Sequence, residues 1–358
     1  MNNTQPSHQD PRDWLPYVMH TLQRSPLYAH LSQCMEQDAD LLAFRALIDP
    51  DQPAPILFFT LVNDLLFRER DHPLAAFYPY LTASPQPATE AYPLFRQFCL
   101  EHGEELRARL PLVRLQTNEV TRCANLLPAF HLIFEDGGQR PLALVEVGAS
   151  AGLNLNWMYY HYEYGTHQVG DPASPVRIRC ELAGALHPPL PVALPPVANC
   201  LGIERVPLAL HNEEDVRWLR ACIWPEERER YQVLDAALAM AHRIPPPLLI
   251  GEAADLLSEL LATLPLDQTV CVWHSYALNQ GPVQTRARIE HLLADASSRR
   301  TIYRLSLEVE PQHRGEAPRL ELFTYRHGTL SSHDWLANCA LHGEWLEWCG
   351  PNTCPTTI

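Results

Sequence analysis

Four short stretches carry the residues able to do chemistry in this chain. In "LVEVGASAG" (Leu144 to Gly152) an acid, Glu146, stands just before a turn of small residues. "GIERVP" ends an apolar run on Glu204. "IGEAADLL" ends another on Glu252, with Ala253 next and Asp255 one helical turn on. "VCVWHSYALNQ" closes on His274, Ser275, Tyr276 and Asn279. Each pattern is an apolar strand followed at once by polar residues and a helix signal, which sets its polar group at the carboxyl end of a strand. In an open parallel sheet that rim is where ligands bind.

Gly148 and Gly152 remove side chains, and Ala149 and Ser150 keep them small, so the backbone can turn sharply and approach a ligand. An aromatic-rich helix is expected from Gly152 onward, with Asn154 in its first turn and free N–H groups aimed at the same place. Its inner face takes Leu153, Trp157 and either Tyr160 or Tyr164. Glu146 discriminates between ligands, because a carboxylate repels a pyrophosphate and attracts a cation. S-adenosylmethionine, a nucleoside with an ammonium and a sulfonium, meets that requirement. Glu204 then accepts the ribose hydroxyls, and Glu252 with Ala253 faces the adenine amino group. Glu204 lies far beyond the usual spacing of about 20 residues, which implies an inserted hairpin in "YGTHQVGDPASPVRIRCELAG". If "VRIRCEL" is the neighbouring strand instead, Glu181 takes the ribose. For all three acids the alternative is helix capping, worth up to about 1 kcal/mol each. His274 is either a general base or a strand-end histidine bonded to backbone, and Ser275, Tyr276 and Asn279 orient a substrate.

These residues need a scaffold. Up to about residue 135 apolar residues recur at helical spacing, in "DWLPYVMHTLQRS", "DADLLAFRAL", "APILFFTLVNDLLFRE", "YPLFRQFCLEHGEELRARL" and "QTNEVTRCANLLPAFHLIFED", the last with Thr117 as N-cap. From "RPLALVEVG" short strands alternate with helices, which predicts an α/β fold with a mostly parallel sheet and helices on both faces. "RLELFTYRHG" and "GEWLEWCG" are expected as closing strands that pair antiparallel at one edge. The division expected is a helical region or lid over 1–138 and a sheet domain over 139–358.

Composition narrows the function. The chain has 358 residues, with 27 Lys and Arg against 42 Asp and Glu, a net charge of −15. That balance argues against nucleic acid as a partner. No signal peptide or membrane span is evident, so a cytoplasmic protein with no membrane partner and a small-molecule substrate is expected. The ten cysteines include no C-x-x-C pair and no zinc spacing. They are expected as reduced, mostly buried thiols, and no metal site is expected. The oligomeric state is left open.

The ordered set "VEVGASAGLNL", "GIERVP", "IGEAADLL" and "VCVWHS" resembles the cofactor motifs of class I S-adenosylmethionine-dependent methyltransferases. More narrowly, "DHPLAAFYP", "QTNEVTRCANLLPA", "EVGASAGLNLNW" and "HGEWLEW" resemble a bacterial family of uncharacterised proteins grouped with that Rossmann-like fold. The family pattern often has Asp where this chain has Glu204 and Glu252. The resemblance implies the fold, S-adenosylmethionine as cofactor and methyl transfer to a small molecule. Two other outcomes stay open. One is cyclisation of the cofactor to azetidine-2-carboxylic acid with release of methylthioadenosine, and the other is a non-catalytic binding protein. The resemblance also implies that the helical region is a lid, through which Asn118, Glu119, Arg122, His72 and Tyr78, with Tyr160, complete a substrate pocket. If it is only a packed layer, these residues are caps and ion pairs.

Overall fold

Helical spacing in the first part of the chain becomes helices. The computed structural model describes residues 24–50, 52–309 and 317–351. Within them the chain opens with α1 (Pro26–Met35), α2 (Ala39–Arg45), α3 (Ala54–Arg68), α4 (Tyr92–Glu101) and α5 (Gly103–Arg109). Ser25 caps α1 by accepting the Tyr28 amide, with Pro26 in the first turn. Asp38 caps α2 in the same way. The helix expected over "DWLPYVMHTLQRS" lies almost wholly outside the described residues. Next comes α6 (Cys123–Asp136), which begins after a 3-10 turn at Val120–Arg122 and is not capped by Thr117.

Strands come next: β1 (Leu142–Val147), β2 (His161–Tyr164), β3 (His167–Gly170), β4 (Arg177–Arg179), β5 (Glu181–Ala183) and β6 (Val197–Glu204). After α7 (Glu213–Ala221) and α8 (Arg228–Arg243) the alternation resumes with β7 (Leu248–Ile250), α9 (Ala253–Thr263), β8 (Thr269–Ser275), α10 (Val283–Ala296) and β9 (Ile302–Glu308). The chain closes with β10 (Arg319–Arg326), β11 (Thr329–Cys339) and β12 (Trp345–Trp348).

The chain forms two compact units. The first ends at Thr117 and also takes in His211–Gln232; the second comprises Asn118–Leu210 and the chain from Val233 onward. Residues 118–138, expected with the helical region, therefore belong with the sheet. In the helical unit Tyr28 stacks on Phe59 and Tyr80 on Tyr231, each with ring centroids 4.4 Å apart. The unit is tied together by Asp64, whose side chain is 1% exposed and meets Arg217 at 2.7 Å and Arg109 at 2.8 Å. Asn63 on the same helix donates to the Ala221 carbonyl. His211–Gln232, from the segment between β6 and β7, is thereby a full member of the helical unit.

The second unit is a mixed α/β structure with a nine-stranded sheet ordered β5-β12-β11-β10-β9-β8-β1-β6-β7 and a small sheet ordered β3-β2-β4. Strands β7, β6, β1, β8 and β9 are mutually parallel, and β9 to β12 alternate antiparallel. Strand order reverses between β1 and β8. One face of β1 and β8 packs on α9 and α10 through Val145, Val272, Leu257 and Ile289. On the other, Phe130 of α6 meets Trp273 and Trp157. Pro128 within α6 has no N–H to give the Ala124 carbonyl, and the Tyr164 hydroxyl donates to that carbonyl at 2.6 Å instead. Among the described residues no helix is long and apolar enough to cross a membrane.

Two expectations about strands change. "RLELFTYRHG" and "GEWLEWCG" do become β10 and β12, but they do not pair with each other, because β11 lies between them. His327 and Gly328 both have positive φ and make the two-residue turn between Arg326 and Thr329. The first half of β11 is exposed and polar, "TLSSH", and lacks an apolar pattern to announce it.

Removing Asp64 tests how the helical unit is held. Asp64→Ala is expected to cost about 3–5 kcal/mol, the penalty of breaking a buried ion pair, read as lost unfolding free energy in urea. A loss below about 1 kcal/mol would be the behaviour of surface ions.

Candidate functional site

β1 is buried throughout, so its side chains alternate between the two faces of the sheet. Ala143, Val145 and Val147 join the core of α9 and α10, which turns Glu146 toward the opposite face. Glu146 is 2% exposed. Asn154 hydrogen-bonds its carboxyl, while Oε2 has no protein partner. Burial raises the Glu146 carboxyl well above the ordinary range; the Glu204 charge adds to this, and the Asn154 bond and the Arg122 charge oppose it. The group is therefore held toward its neutral form.

Glu204 ends β6, which pairs with β1, and the inserted hairpin is present as β2 and β3, with β4 beside β2. Glu181 begins β5, at the opposite edge of the large sheet. Glu204 Oε2 accepts the Ser150 amide at 2.9 Å, and Oε1 accepts those of Arg205 and Val206. A carboxylate offers about four acceptor positions, so capacity remains on Oε2. Glu252 precedes α9 without a capping bond and stands 3.9 Å from Arg205; Ala253 behind it is buried.

The turn itself is shaped by protein packing. Gly148 and Gly152 have φ near +75 and +77. A Cβ at Gly148 would lie 2.4 Å from the Ala277 methyl, and one at Gly152 2.9 Å from Pro246. Ala149 is fully buried beside Gly202. Ser150 also adopts a positive φ, 54°, costly for a residue with a side chain, and its buried hydroxyl has no protein partner.

The expected aromatic-rich helix does not form beyond the turn. Leu153–Tyr159 is a 3-10 helix of seven residues, and Tyr160 leads into β2. The tyrosines alternate as strand residues do, and their hydroxyls are used internally. Tyr160 donates to the Leu153 carbonyl and Tyr162 to that of Trp157. Tyr160 is thus part of the scaffold beneath the site, and the short helix provides no long dipole for an anion.

Asn118, Glu119 and Arg122 converge on the same rim. Asn118 accepts the Leu153 amide at 2.9 Å. Thr121 donates to Glu119 and also meets the His342 carbonyl. Arg122 bonds the Leu341 carbonyl through Nε, reaches Ser275 Oγ at 3.4 Å and lies over the Tyr276 ring at 4.2 Å. "QTNEVTR", "HGEWLEW" and the end of β8 are therefore neighbours. Two residues expected beside them have other surroundings inside the helical unit. His72 caps a 3-10 turn and packs on Phe98, and Tyr78 is fully buried among Tyr28 and Tyr80.

Past β8 the chain turns at Tyr276, whose φ is 54°. Burial pushes its hydroxyl above the usual tyrosine range, and that oxygen has no protein partner. Asn279 uses its side-chain amide on the Val309 carbonyl. His274 is buried between a carboxylate and a guanidinium. It is 1% exposed, with Nδ1 2.7 Å from Glu308 Oε1 and Nε2 3.4 Å from Arg304 Nη1. Arginine only donates, which makes Nε2 the acceptor and Nδ1–H the donor to Glu308, a tautomer assigned from its partners. Both ring nitrogens are engaged.

A family model described as "Uncharacterized protein conserved in bacteria (DUF2332)" matches residues 19–348. The chain belongs to this family. Comparison with curated proteins and with solved structures gives no match.

The match spans the residues of both units, so the rim and the helical unit are parts of one family architecture. Glu308 and Arg304 were not legible as site residues in the sequence. "RTIYRLSLEVE" looks like any apolar strand, and nothing local ties Glu308 to His274. His342 stands in a motif already singled out, "HGEWLEW", but its nearness to Thr121 is purely tertiary.

Glu146 gives this site a pH signature. A carboxyl raised on folding contributes stability that is full below its unfolded pKa of about 4.3 and is lost as pH rises through the folded value. Glu146→Gln removes that dependence. Its stability relative to the parent chain is expected to climb above about pH 4.3, by up to about 1.4 kcal/mol per pH unit, in urea titrations across a pH series. A constant difference would place an ionised carboxylate in the fold.

Proposed function

We propose that this protein is a cytoplasmic S-adenosylmethionine-binding enzyme that transfers the cofactor's methyl group to a small molecule. The observation that carries the reading is the pair of carboxyl groups at the ends of adjacent strands β1 and β6, beside the point where strand order reverses. Glu146 Oε2 there is buried without a partner, and Glu204 is fixed to the glycine turn. The order β7-β6-β1-β8-β9 corresponds to five strands of the doubly wound arrangement, whose ligands sit at such a reversal. The motif resemblance supplies the cofactor, and the unpartnered oxygens of Glu146, Ser150 and Tyr276 fit a ligand rich in polar groups.

When bound, the cofactor supplies an electrophilic methyl group on a cationic sulfur. The chain's residues hold and orient. Glu146, with Asn154, receives the ammonium, and the incoming charge favours its ionised form. Glu204 accepts ribose hydroxyl through the capacity left on Oε2. Glu252 and Ala253 border the adenine. Ser275, Tyr276 and Arg122 line the acceptor side, with the Arg122 guanidinium over the Tyr276 ring. With His274 engaged, catalysis in this reading comes from placing an already nucleophilic acceptor in line and excluding water.

Calorimetry with S-adenosylmethionine is expected to show binding, weakened about tenfold or more by Glu204→Gln through loss of a charged hydrogen bond. Mass spectrometry after incubation with cofactor and a bacterial metabolite extract is expected to find S-adenosylhomocysteine. Methylthioadenosine from cofactor alone would replace transfer by cyclisation or lysis. No binding heat and no thermal shift would leave a non-catalytic role for the fold.

A further inference from the structure

Glu308, the last residue of β9, is buried and gathers four donors on one carboxylate. Oε1 accepts the amides of Ala277 at 3.0 Å and Leu278 at 2.8 Å and faces His274 Nδ1 at 2.7 Å. Oε2 accepts the Asn279 amide at 2.8 Å. Three consecutive amides of the loop after β8 thus close on a side chain from the neighbouring strand. The loop so held carries Tyr276 in its left-handed conformation, and its Ala277 methyl fills the place where Gly148 lacks a Cβ. The loops on either side of the strand reversal are therefore packed against each other through Ala277 and Gly148.

We infer that Glu308 is a positioning residue for the rim site. Its carboxylate clasps residues 277–279, seats Ala277 on the glycine turn, and so fixes Tyr276 and the width of the crevice between β1 and β8. The ionisable groups around it are His274, Arg304 behind His274, Tyr276, and Arg319, its cross-strand neighbour on β10. Burial works against the Glu308 charge, but His274 and the loop amides outweigh it and keep the carboxyl below its ordinary range. The ligand part of this inference rests on the cofactor reading above; the clasp does not.

Two measurements on the full chain separate them. Hydrogen exchange is expected to show the 277–279 amides protected. Glu308→Gln, which keeps the shape and removes one acceptor and the charge, is expected to lose that protection while the β8 amides and the melting temperature hold. S-adenosylmethionine affinity is expected to fall about tenfold or more in Glu308→Gln, and also in Ala277→Gly, which leaves the clasp and removes only the methyl seated on Gly148. A merely structural role would lower the melting temperature and leave the affinity of the folded fraction unchanged, overturning the inference. Should Glu308→Gln fail to fold, Ala277→Gly decides, and parental affinity there overturns it. If the parent chain binds no S-adenosylmethionine, the cofactor reading falls while exchange at 277–279 still decides the clasp. Unprotected amides would overturn that too.

Discussion

The reversal of strand order between β1 and β8 is the constraint on which the rest of the sheet unit depends. After β1 the chain leaves toward the face covered by α6, where Trp157 meets Phe130. After β8 it leaves toward the other face, where α10 packs with α9. Two loops that part in this way leave the strand ends between them as the place where polar groups gather, most of them buried, with Ala277 seated on Gly148. The glycine turn, the segment before α6 and the turn after β11 all contribute polar groups there, the last through the Leu341 and His342 carbonyls, although they are far apart in the chain.

Two buried carboxyl groups near this rim are treated in opposite ways, and the difference is the number of donors each receives. Glu308 has four, including an imidazole N–H, and its ionised form is favoured despite burial. Glu146 has the Asn154 amide, an unpartnered oxygen and a carboxylate nearby, and its neutral form is favoured. Desolvation is common to both; at Glu308 the interactions with His274 and the loop amides outweigh it, and at Glu146 the Asn154 bond and the Arg122 charge do not. Such divergence leaves Glu308 as a fixed strut and Glu146 as the buried acid with an oxygen not taken by the protein.

Much of the sheet was legible because a buried parallel strand needs an apolar run, and "LALV" and "VCVW" are such runs. The turn at Gly148 was legible for the same reason that it is needed: small residues where chain meets chain. The insertion before Glu204 could be read from spacing alone. The tyrosines after Gly152 misled, since aromatic residues three and four apart fit a helix while the same residues two apart fit β2. β11 was hidden by its exposed polar half, and Glu308 by the fact that its partners are tertiary. The membership of 211–232 in the helical unit was also out of reach, because Asp64 and Arg217 meet only in three dimensions.

That membership has a consequence for biosynthesis. The helical unit is encoded in two pieces, and its second piece emerges from the ribosome only after β1 and β6 have been made. Until then Asp64 waits without Arg217, and Tyr80 without Tyr231 to stack on. The helical unit cannot finish folding until residue 232 has been made, so its first helices stay partly uncovered through more than a hundred residues of further translation, a state open to misassembly.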